Sequence, residues 1–379
     1  MVIVRAPVRI SFGGGGTDLA AYYTRFGGLV VSAAITRYCY VVASESPDGG
    51  IRISSADYRT WETYRRGEIP PVAQPLALPK AAIACFAGRA LGESGIDLFL
   101  ASEVPPGTGL GSSSAMAVGL VRALAAHLRL PLDAAAVAEL ACYVEIEQLG
   151  MPIGKQDQYA SAFGGLNAME FTTGGVNVMP LDVPADVVRA LSSRLLLFAT
   201  GQTRDSAAIL RQQRTDTGTN PAVIASLHRI KALAAEMREA LEAEDLDRFG
   251  ILLDRGWREK KSLSRKVSSP AIDGWYEGAR AAGALGGKIT GAGGGGFLLL
   301  YCPPKRQGAV RTAMARAGLQ EMPCDVDRTG AQVLADVRAA TAGISVEREA
   351  VVPPVRLAHT APGVSGIARY VARNQMRKG

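Results

Sequence analysis

Pro105-Pro106-Gly107-Thr108-Gly109-Leu110-Gly111-Ser112-Ser113-Ser114-Ala115 is the stretch that decides the fold of this 379-residue chain. It follows an apolar, strand-like run at residues 96–104 and precedes a helical pattern that begins at Met116. Three alternate glycines let the backbone turn tightly and approach a ligand closely. The serines then fall at the start of a helix, where unpaired N–H groups attract anions such as phosphate. A glycine-rich turn with a serine N-cap is the alternative.

The composition is that of an ordinary globular protein, with 48% apolar and 20% charged residues. No apolar run approaches the roughly 20 residues that a membrane-spanning helix needs. The N-terminus shows no secretory leader, so we expect a cytoplasmic protein without membrane partners. The five cysteines are scattered and form no CxxC pair, which indicates buried free thiols.

The net charge of +7 is unevenly distributed. From Thr341 onward the chain holds six basic and two acidic residues, so +4 of the total lies in this tail. No aromatic-studded basic face accompanies these charges, which argues against nucleic acid as a partner. A solvated tail, or attraction to anionic substrates, is the preferred interpretation.

Helical and strand-like segments alternate irregularly, which favours an α+β fold over a doubly wound parallel sheet. Strands are predicted at residues 2–12 and 29–43, and a hairpin at 166–181. A helix is predicted at about residues 133–148 with Asp133 as its cap, and helices are predicted to dominate residues 205–282. Residues 58–79 contain four prolines and are predicted to be irregular.

Two further glycine-rich runs occur, Gly13-Gly14-Gly15-Gly16-Thr17-Asp18 and Gly291-Ala292-Gly293-Gly294-Gly295-Gly296. The second run satisfies the dinucleotide pattern G-x-G-x-x-G, but a strand-like segment follows where that pattern requires a helix. A Walker loop is excluded as well, because none of the glycine runs ends in Gly-Lys-Ser or Gly-Lys-Thr. We therefore expect no nicotinamide-dependent oxidoreductase.

Together with Arg5-Ala6-Pro7-Val8-Arg9-Ile10-Ser11-Phe12, the three runs resemble the ordered motifs of the GHMP kinases, which include galactokinase and mevalonate kinase. Within that superfamily, Gly154-Lys155-Gln156-Asp157-Gln158-Tyr159 and Thr200-Gly201-Gln202-Thr203-Arg204 are similar to segments of the bacterial D-glycero-D-manno-heptose 7-phosphate kinases. The resemblance covers about residues 2–334. It implies two α+β domains with the nucleotide and substrate in the cleft between them.

On this basis we expect an N-terminal kinase domain at residues 1–190, a C-terminal kinase domain at 191–340 and a basic extension at 341–379. The resemblance implies an ATP- and Mg²⁺-dependent kinase that phosphorylates the anomeric C1 hydroxyl of a sugar phosphate, heptose 7-phosphate above all. A fucose-, arabinose- or galactose-type sugar 1-kinase is one alternative, and a non-catalytic ATP and sugar sensor is another. A homodimer is one possible oligomeric state.

The resemblance also implies the residues that bind the nucleotide: Pro106, Gly107, Gly109, Leu110, Gly111, Ser112, Ser113, Ser114, Gly291, Gly293 and Gly294. Ser112 and Ser113 are expected near the metal together with Glu145, because Mg²⁺ sites combine carboxylate and other oxygen ligands. The chain carries one extra residue before Asp157, so Glu147 stays the alternative ligand. The two glutamates point about 200° apart on a helix, and at most one can face the loop. In the simplest alternative, Glu145 and Glu147 are both ordinary surface residues that bind no metal.

Asp157 is the predicted base that accepts the proton of the sugar hydroxyl. A capping role at the start of the following helix is its alternative. Lys155 is predicted to orient the γ-phosphate or to lower the pKa of the aspartate, unless it is a solvated surface lysine. Arg9 is predicted to face the substrate or the transferred phosphate. Alternation along a strand gives Arg5 the same face, and one of the two arginines can be a solvated charge.

The resemblance places the sugar against Gly15, Gly16, Thr17, Asp18, Arg204 and Thr290. Asp18 is expected to accept hydrogen bonds from two hydroxyls, with a helix-capping role as the alternative. Arg204 is the preferred clamp for a phosphate already on the sugar, since the arginine fork matches phosphate oxygens. A salt bridge at the start of a helix is the other interpretation of Arg204, and Arg37 and Arg211 are weaker candidates for the clamp.

Overall fold

The computed structural model describes residues 1–86, 95–202, 206–264 and 266–337. The predicted clamp Arg204 and the tail from 341 onward lie outside these ranges. The described chain has the α+β architecture that the sequence predicts, with two sheets and their flanking helices. None of its helices combines the length and the apolar character that a bilayer span requires.

The larger sheet contains eight strands in the order β12-β1-β2-β5-β3-β4, and the hairpin β6–β7 pairs with the first half of β2. A smaller antiparallel sheet has the order β11-β8-β10-β9. The strands are β1 Val2–Gly13, β2 Gly28–Ser44, β3 Ile51–Ser55, β4 Thr60–Tyr64, β5 Ile96–Ser102, β6 Leu166–Thr172, β7 Gly175–Pro180, β8 Leu195–Ala199, β9 Gly286–Ile289, β10 Phe297–Tyr301, β11 Gln320–Glu321 and β12 Gln332–Asp336.

The helices pack on the two sheets, and α3 covers β1 and β2. They are α1 Ala20–Phe26, α2 Ala77–Phe86, α3 Ser112–His127, α4 Ala134–Cys142, α5 Gln156–Phe163, α6 Ala185–Arg194, α7 Ser206–Thr219, α8 Pro221–Glu242, α9 Leu246–Leu263, α10 Pro270–Ala281 and α11 Gln307–Arg316. A π-helical turn, Tyr143–Gln148, continues α4, and a 3₁₀ turn, Pro304–Arg306, precedes α11.

Strand β1 positions the site because its two faces differ. The even-numbered residues from Val2 to Phe12 are buried in the core, so the odd-numbered residues Arg9 and Ser11 face the opposite side. The register with β2 shifts between Pro7 and Val8, so a β-bulge lies at the proline, which has no N–H to donate to a neighbouring strand. Arg5 lies roughly 13 Å further back along the strand at ~3.3 Å per residue, where it donates to Gln332.

Aromatic side chains join the two halves of the molecule. Phe12 of β1 contacts Phe249 of α9 edge-on at 5.2 Å between ring centroids. Phe249 in turn meets Tyr301 of β10 at 5.6 Å. Strand β12 also returns from the C-terminal half to pair with β1. We propose that the boundary between the two domains lies near residue 190, between the larger and the smaller sheet. Strand β12 crosses back from the C-terminal part to the larger sheet.

Two local features differ from the prediction. Strand β4 lies within the stretch predicted to be irregular, because its backbone pairs with β3 although Trp61 is exposed. The helix predicted from residue 133 to 148 begins as expected, with Asp133 accepting from Ala136 N at 2.8 Å. It changes to a π-helical turn at Tyr143, which accommodates an extra residue without ending the helix.

Candidate active site

A cavity of about 340 Å³ opens where the three glycine-rich runs meet α5, α7 and α9. A cavity of this size can hold part of a nucleotide or a sugar. From the three runs, its walls comprise Gly15, Gly16, Asp18, Pro106, Gly107, Gly109, Gly111, Ser112, Ser113, Ser114, Gly291 and Ala292. Residues as far apart in sequence as Gly15 and Ala292 therefore face one space, as the predicted convergence of the loops requires.

The start of α3 is built to receive an anion. Gly111 precedes the helix in the left-handed conformation (φ +75°), which favours glycine. No side chain caps this helix start, so the serine N-cap alternative does not apply. The first N–H groups are left for an external acceptor, and Ser112, Ser113 and Ser114 line the cavity beside them.

The closing glycine run packs directly on the first turn of this loop. A Cβ on Gly296 would lie 2.1 Å from the carbonyl oxygen of Thr108, so only glycine permits the contact. Thr290 Oγ1 donates to the same carbonyl at 3.3 Å. The C-terminal half thereby fixes the loop that faces the anion-binding helix start.

Arg9 and Asp157 form a bidentate ion pair in the cavity. Arg9 Nε and Nη2 each donate to a different carboxylate oxygen of Asp157, both at 2.7 Å. Arg9 Nη1 donates to Gly109 O at 2.8 Å, which ties the pair to the phosphate-binding loop. Lys155, not Asp157, occupies the N-cap position of α5, so the capping alternative for Asp157 is excluded. A Cβ on Gly111 would lie only 3.2 Å from Asp157 Oδ2, so the carboxylate adjoins the loop.

Asp18 is held by backbone N–H groups. It accepts from Gly16 N at 2.9 Å and from Gln156 N at 3.3 Å. It does not cap α1, whose N-cap residue is Leu19. Burial, with the nearby charge of Asp157, raises the pKa of Asp18 above its usual range. The carboxyl group is thus fixed at the cavity wall with lone pairs left for a ligand.

We expect Gly154→Ala to displace Asp18. The added Cβ would lie 1.9 Å from Asp18 Oδ2 and 2.9 Å from its carbonyl oxygen, so the carboxylate has to move. The KM for the phosphate acceptor should rise by about tenfold or more, because misplacement by an ångström is costly. The KM for ATP should change little. Gly274→Ala in α10, where the new methyl meets nothing within 4 Å, is the control. An unchanged acceptor KM would remove Asp18 from substrate binding.

Glu145 lies at the base of the cavity, fully buried on the π-helical turn. Ser113 Oγ donates to its Oε1 at 2.7 Å, and Gln158 Nε2 donates to Oε2 at 2.6 Å. Burial raises the pKa of Glu145 to about 7, although these hydrogen bonds act in the opposite direction. The alternative ligand Glu147 is exposed and does not line the cavity. Glu145 is therefore the glutamate that faces the helix start.

Lys155 is placed differently from the prediction. Its Nζ donates to Glu139 at 2.6 Å, and Tyr159 OH binds the other oxygen of that carboxylate at 2.8 Å. Burial lowers the pKa of Lys155, but the charge and hydrogen bond of Glu139 together with the neighbouring Cys142 and Tyr23 outweigh burial, and the net pKa is raised. Lys155 does not line the cavity. This geometry gives it no contact with a phosphate, because its ammonium is directed toward α4.

Other predicted residues shape the loops without lining the cavity. Thr17 Oγ1 donates to Gly14 O at 2.7 Å and braces the first glycine run. Leu110 is buried and accepts from Arg9 N through its carbonyl. Gly293 and Gly294 pack on Val267, and Thr290 bridges backbone carbonyls. These residues fix the backbone of the cavity walls, and the residues next to them line the cavity.

Six polar residues of the wall were absent from the predicted site: Ser11, Tyr58, Gln156, Gln213, Lys260 and Lys288. Ser11 and Lys288 lie within or beside the quoted motifs, where alternation along β1 and β9 was the available signal, whereas Gln156 begins α5 and Tyr58 lies in the stretch predicted to be irregular. Gln213 and Lys260 lie on α7 and α9, and no local pattern separates them from the other polar residues of those helices.

The residues present fit a nucleotide with its magnesium ion. The uncapped helix start offers N–H donors to phosphate oxygens. Among the residues that the structure describes, no cluster of three or more His, Cys, Asp or Glu could hold a metal alone. One buried carboxylate with neighbouring hydroxyls suits Mg²⁺, which binds proteins through one or two carboxylates and keeps water and phosphate ligands. The fold and this site define a phosphotransferase.

Comparisons with known proteins agree with that class. The chain matches the GHMP kinases N terminal domain at residues 77–165 and the GHMP kinases C terminal domain at 237–320. It is 34% identical over 308 residues to the D-glycero-alpha-D-manno-heptose 7-phosphate kinase of Campylobacter jejuni, covering 80% of this chain and 90% of that protein. It is 29% identical over 324 residues to the mevalonate kinase of Thermococcus sibiricus, covering 81% and 92%.

A solved structure supports the same assignment. The D-glycero-D-manno-heptose 1-phosphate kinase from Bacteroides thetaiotaomicron superposes with a TM-score of 0.74 at 29% identity, over 89% of this chain and all of the other. The chain belongs to the GHMP kinase family, as its sequence motifs indicate. It is an ATP-dependent phosphotransferase with an alcohol group as acceptor.

Proposed function

We propose that this kinase transfers the γ-phosphate of ATP to the anomeric C1 hydroxyl of D-glycero-D-manno-heptose 7-phosphate, giving the 1,7-bisphosphate. The observation that carries the proposal is the Arg9–Asp157 pair, whose two 2.7 Å bonds lie beside the uncapped start of α3. A proton acceptor and an anion site share one cavity, which is what phosphoryl transfer to a hydroxyl requires. The sugar assignment draws on the 34% identity to the heptose 7-phosphate kinase.

Asp157 acts as the base in this mechanism. Arg9 holds both oxygens of the carboxylate and fixes its orientation toward the cavity. A positioned carboxylate can accept the hydroxyl proton as the oxygen attacks phosphorus, and the bond from the γ-phosphorus to the bridging oxygen breaks. The proton ends on Asp157, and ADP leaves.

The nucleotide contacts follow from the helix start. The N–H groups of the first turn of α3 and the hydroxyls of Ser112 and Ser114 bind phosphate oxygens. Ser113 and Glu145 would hold Mg²⁺, whose charge would neutralise the triphosphate. On the acceptor side, Asp18 accepts hydrogen bonds from sugar hydroxyls, and Gly15 and Gly16 let the sugar approach the backbone.

A panel of acceptors tests the proposed reaction. ADP release should be fastest with heptose 7-phosphate and slower with the same heptose lacking its phosphate, L-fucose, D-galactose or mevalonate. The product should carry its new phosphate at C1 by ³¹P NMR. Faster turnover of an unphosphorylated sugar would move the assignment to a fucose- or galactose-type kinase. ATP binding without turnover of any acceptor would favour the non-catalytic sensor.

We expect Glu145→Gln to raise the Mg²⁺ concentration for half-maximal activity by about tenfold or more, because a neutral amide is a poor magnesium ligand. The free protein should fold normally, since the change removes a buried charge. Glu147→Gln, two residues along on the exposed face, is the matched control. ADP release over a Mg²⁺ titration measures both variants. A shift in the control alone would assign the metal to Glu147.

A further inference from the structure

Lys288 places a buried ammonium group in the cavity. It lies in β9 with only 6% of its surface exposed, and it lines the same space as Arg9 and Asp157. Its Nζ donates to the carbonyl oxygens of Ser11 at 2.8 Å and Phe12 at 3.1 Å. The ammonium therefore sits beneath the first glycine run, at the junction of the two halves. One of its three N–H donors is left over by these two bonds.

The charge of Lys288 has no counter-ion among the described residues. Both of its hydrogen bonds go to neutral carbonyls, and no described carboxylate forms an ion pair with it. Burial, with the nearby charge of Arg9, lowers its pKa to about 7. A buried cation is costly unless an anion pairs with it. A cavity with an unpaired ammonium group on its wall therefore favours an anionic ligand.

Ser11 supplies a second, independent observation. Its Oγ is buried and has no hydrogen-bond partner, and Ser11 lines the cavity with 6% of its surface exposed. Its carbonyl is one of the two acceptors of Lys288, so the hydroxyl and the ammonium belong to one cluster. A Cβ on Gly15 would lie 3.5 Å from Ser11 Oγ in ordinary contact, so there is room above the hydroxyl. Buried polar atoms of this kind call for a partner.

We propose that Lys288 Nζ and Ser11 Oγ form a second anion site that binds a phosphoryl oxygen, apart from the start of α3. The inference rests on the proposed kinase function. The neighbouring carboxylates do not repel an anion strongly, because Arg9 neutralises Asp157 and backbone N–H groups bind Asp18. Two sources share this chemistry: the phosphoryl group in transfer and the phosphate already carried by the acceptor.

The test compares Ser11→Ala and Lys288→Met with wild-type enzyme. Ser11→Ala deletes an atom that bonds to no described residue, so a purely structural role predicts no change. Lys231→Met is the matched control, since Lys231 Nζ donates to a backbone carbonyl, that of Phe26, outside the cavity. Calorimetry measures binding of ADP with Mg²⁺, alone and with aluminium fluoride, which mimics the phosphoryl group in transfer. Kinetics measure KM and kcat for the heptose with and without its 7-phosphate.

If the site binds the transferred group, both variants lose about tenfold or more of the tightening by aluminium fluoride. Binding of ADP alone is unchanged, and kcat falls for both sugars. If the site binds the acceptor phosphate, the KM for the phosphorylated sugar rises by about tenfold, with the unphosphorylated sugar and the fluoride complex unaffected.

Wild-type behaviour of Ser11→Ala in both arms overturns the site, even where Lys288→Met loses stability, because Lys288 is then only a brace for β1. Equal losses in the Lys231→Met control have the same consequence. Should wild-type enzyme phosphorylate neither sugar, the proposed function fails separately. In that case the fluoride comparison and calorimetric binding of heptose 7-phosphate still decide the site, and equal values in wild type and variants for both ligands reject it.

Discussion

Asp157→Asn should lower kcat by about 10²–10⁴-fold, the usual contribution of a positioned general base. Asparagine has nearly the same shape and can still accept one hydrogen bond from Arg9, but it cannot take up the hydroxyl proton. The N–H groups that receive the phosphates belong to α3 and are untouched by the change. The affinity for ATP should therefore stay close to that of the wild type.

Single-turnover ADP release and a nucleotide-binding titration separate the two effects. Asp133→Asn serves as the control because it changes the same chemistry at the N-cap of α4, away from the cavity. Asparagine is as good a cap as aspartate, so this variant should retain wild-type activity and stability. Turnover of Asp157→Asn at the wild-type rate would place the base elsewhere.

Arg9→Met should be nearly as damaging, and it should also destabilise the protein. The side chain makes two bonds to Asp157 and one to Gly109 O, so it aligns the base with the phosphate-binding loop. Loss of that alignment should lower kcat/KM by about 10²-fold. The free energy of unfolding should fall by roughly 3 kcal/mol, the lower end for breaking a buried ion pair, since Asp157 keeps 21% side-chain exposure.

Arg9→Lys distinguishes charge from geometry. Lysine keeps the positive charge but cannot make the paired, planar contact with the carboxylate, so we expect part of the stability and little of the activity to return. Arg5→Met is the matched control on the same strand, because Arg5 binds Gln332 and stacks on Tyr38 outside the cavity. Thermal unfolding and steady-state kinetics measure all three variants. Comparable losses in Arg5→Met would show a general weakening of β1 instead.

The sequence by itself determined the family, the α+β class and the three glycine-rich runs that converge on the cavity. These features are local: alternating glycines before a helical pattern need no distant partner to be recognised. The same holds for the aspartate cap at Asp133, since it depends on neighbouring residues alone. Glu145 and Glu147, two positions apart, could not be told apart in this way.

Tertiary structure decided which side chains face the cavity. The π-helical turn directs Glu145 inward and leaves Glu147 exposed, and Lys155 pairs with Glu139 outside the cavity. Lys288 enters the site only because the fold brings its ammonium to the carbonyl of Ser11 at the end of β1, 277 residues away in sequence. Side-chain direction at such positions depends on the partners that long-range packing supplies. Local sequence fixes the backbone pattern but not those partners.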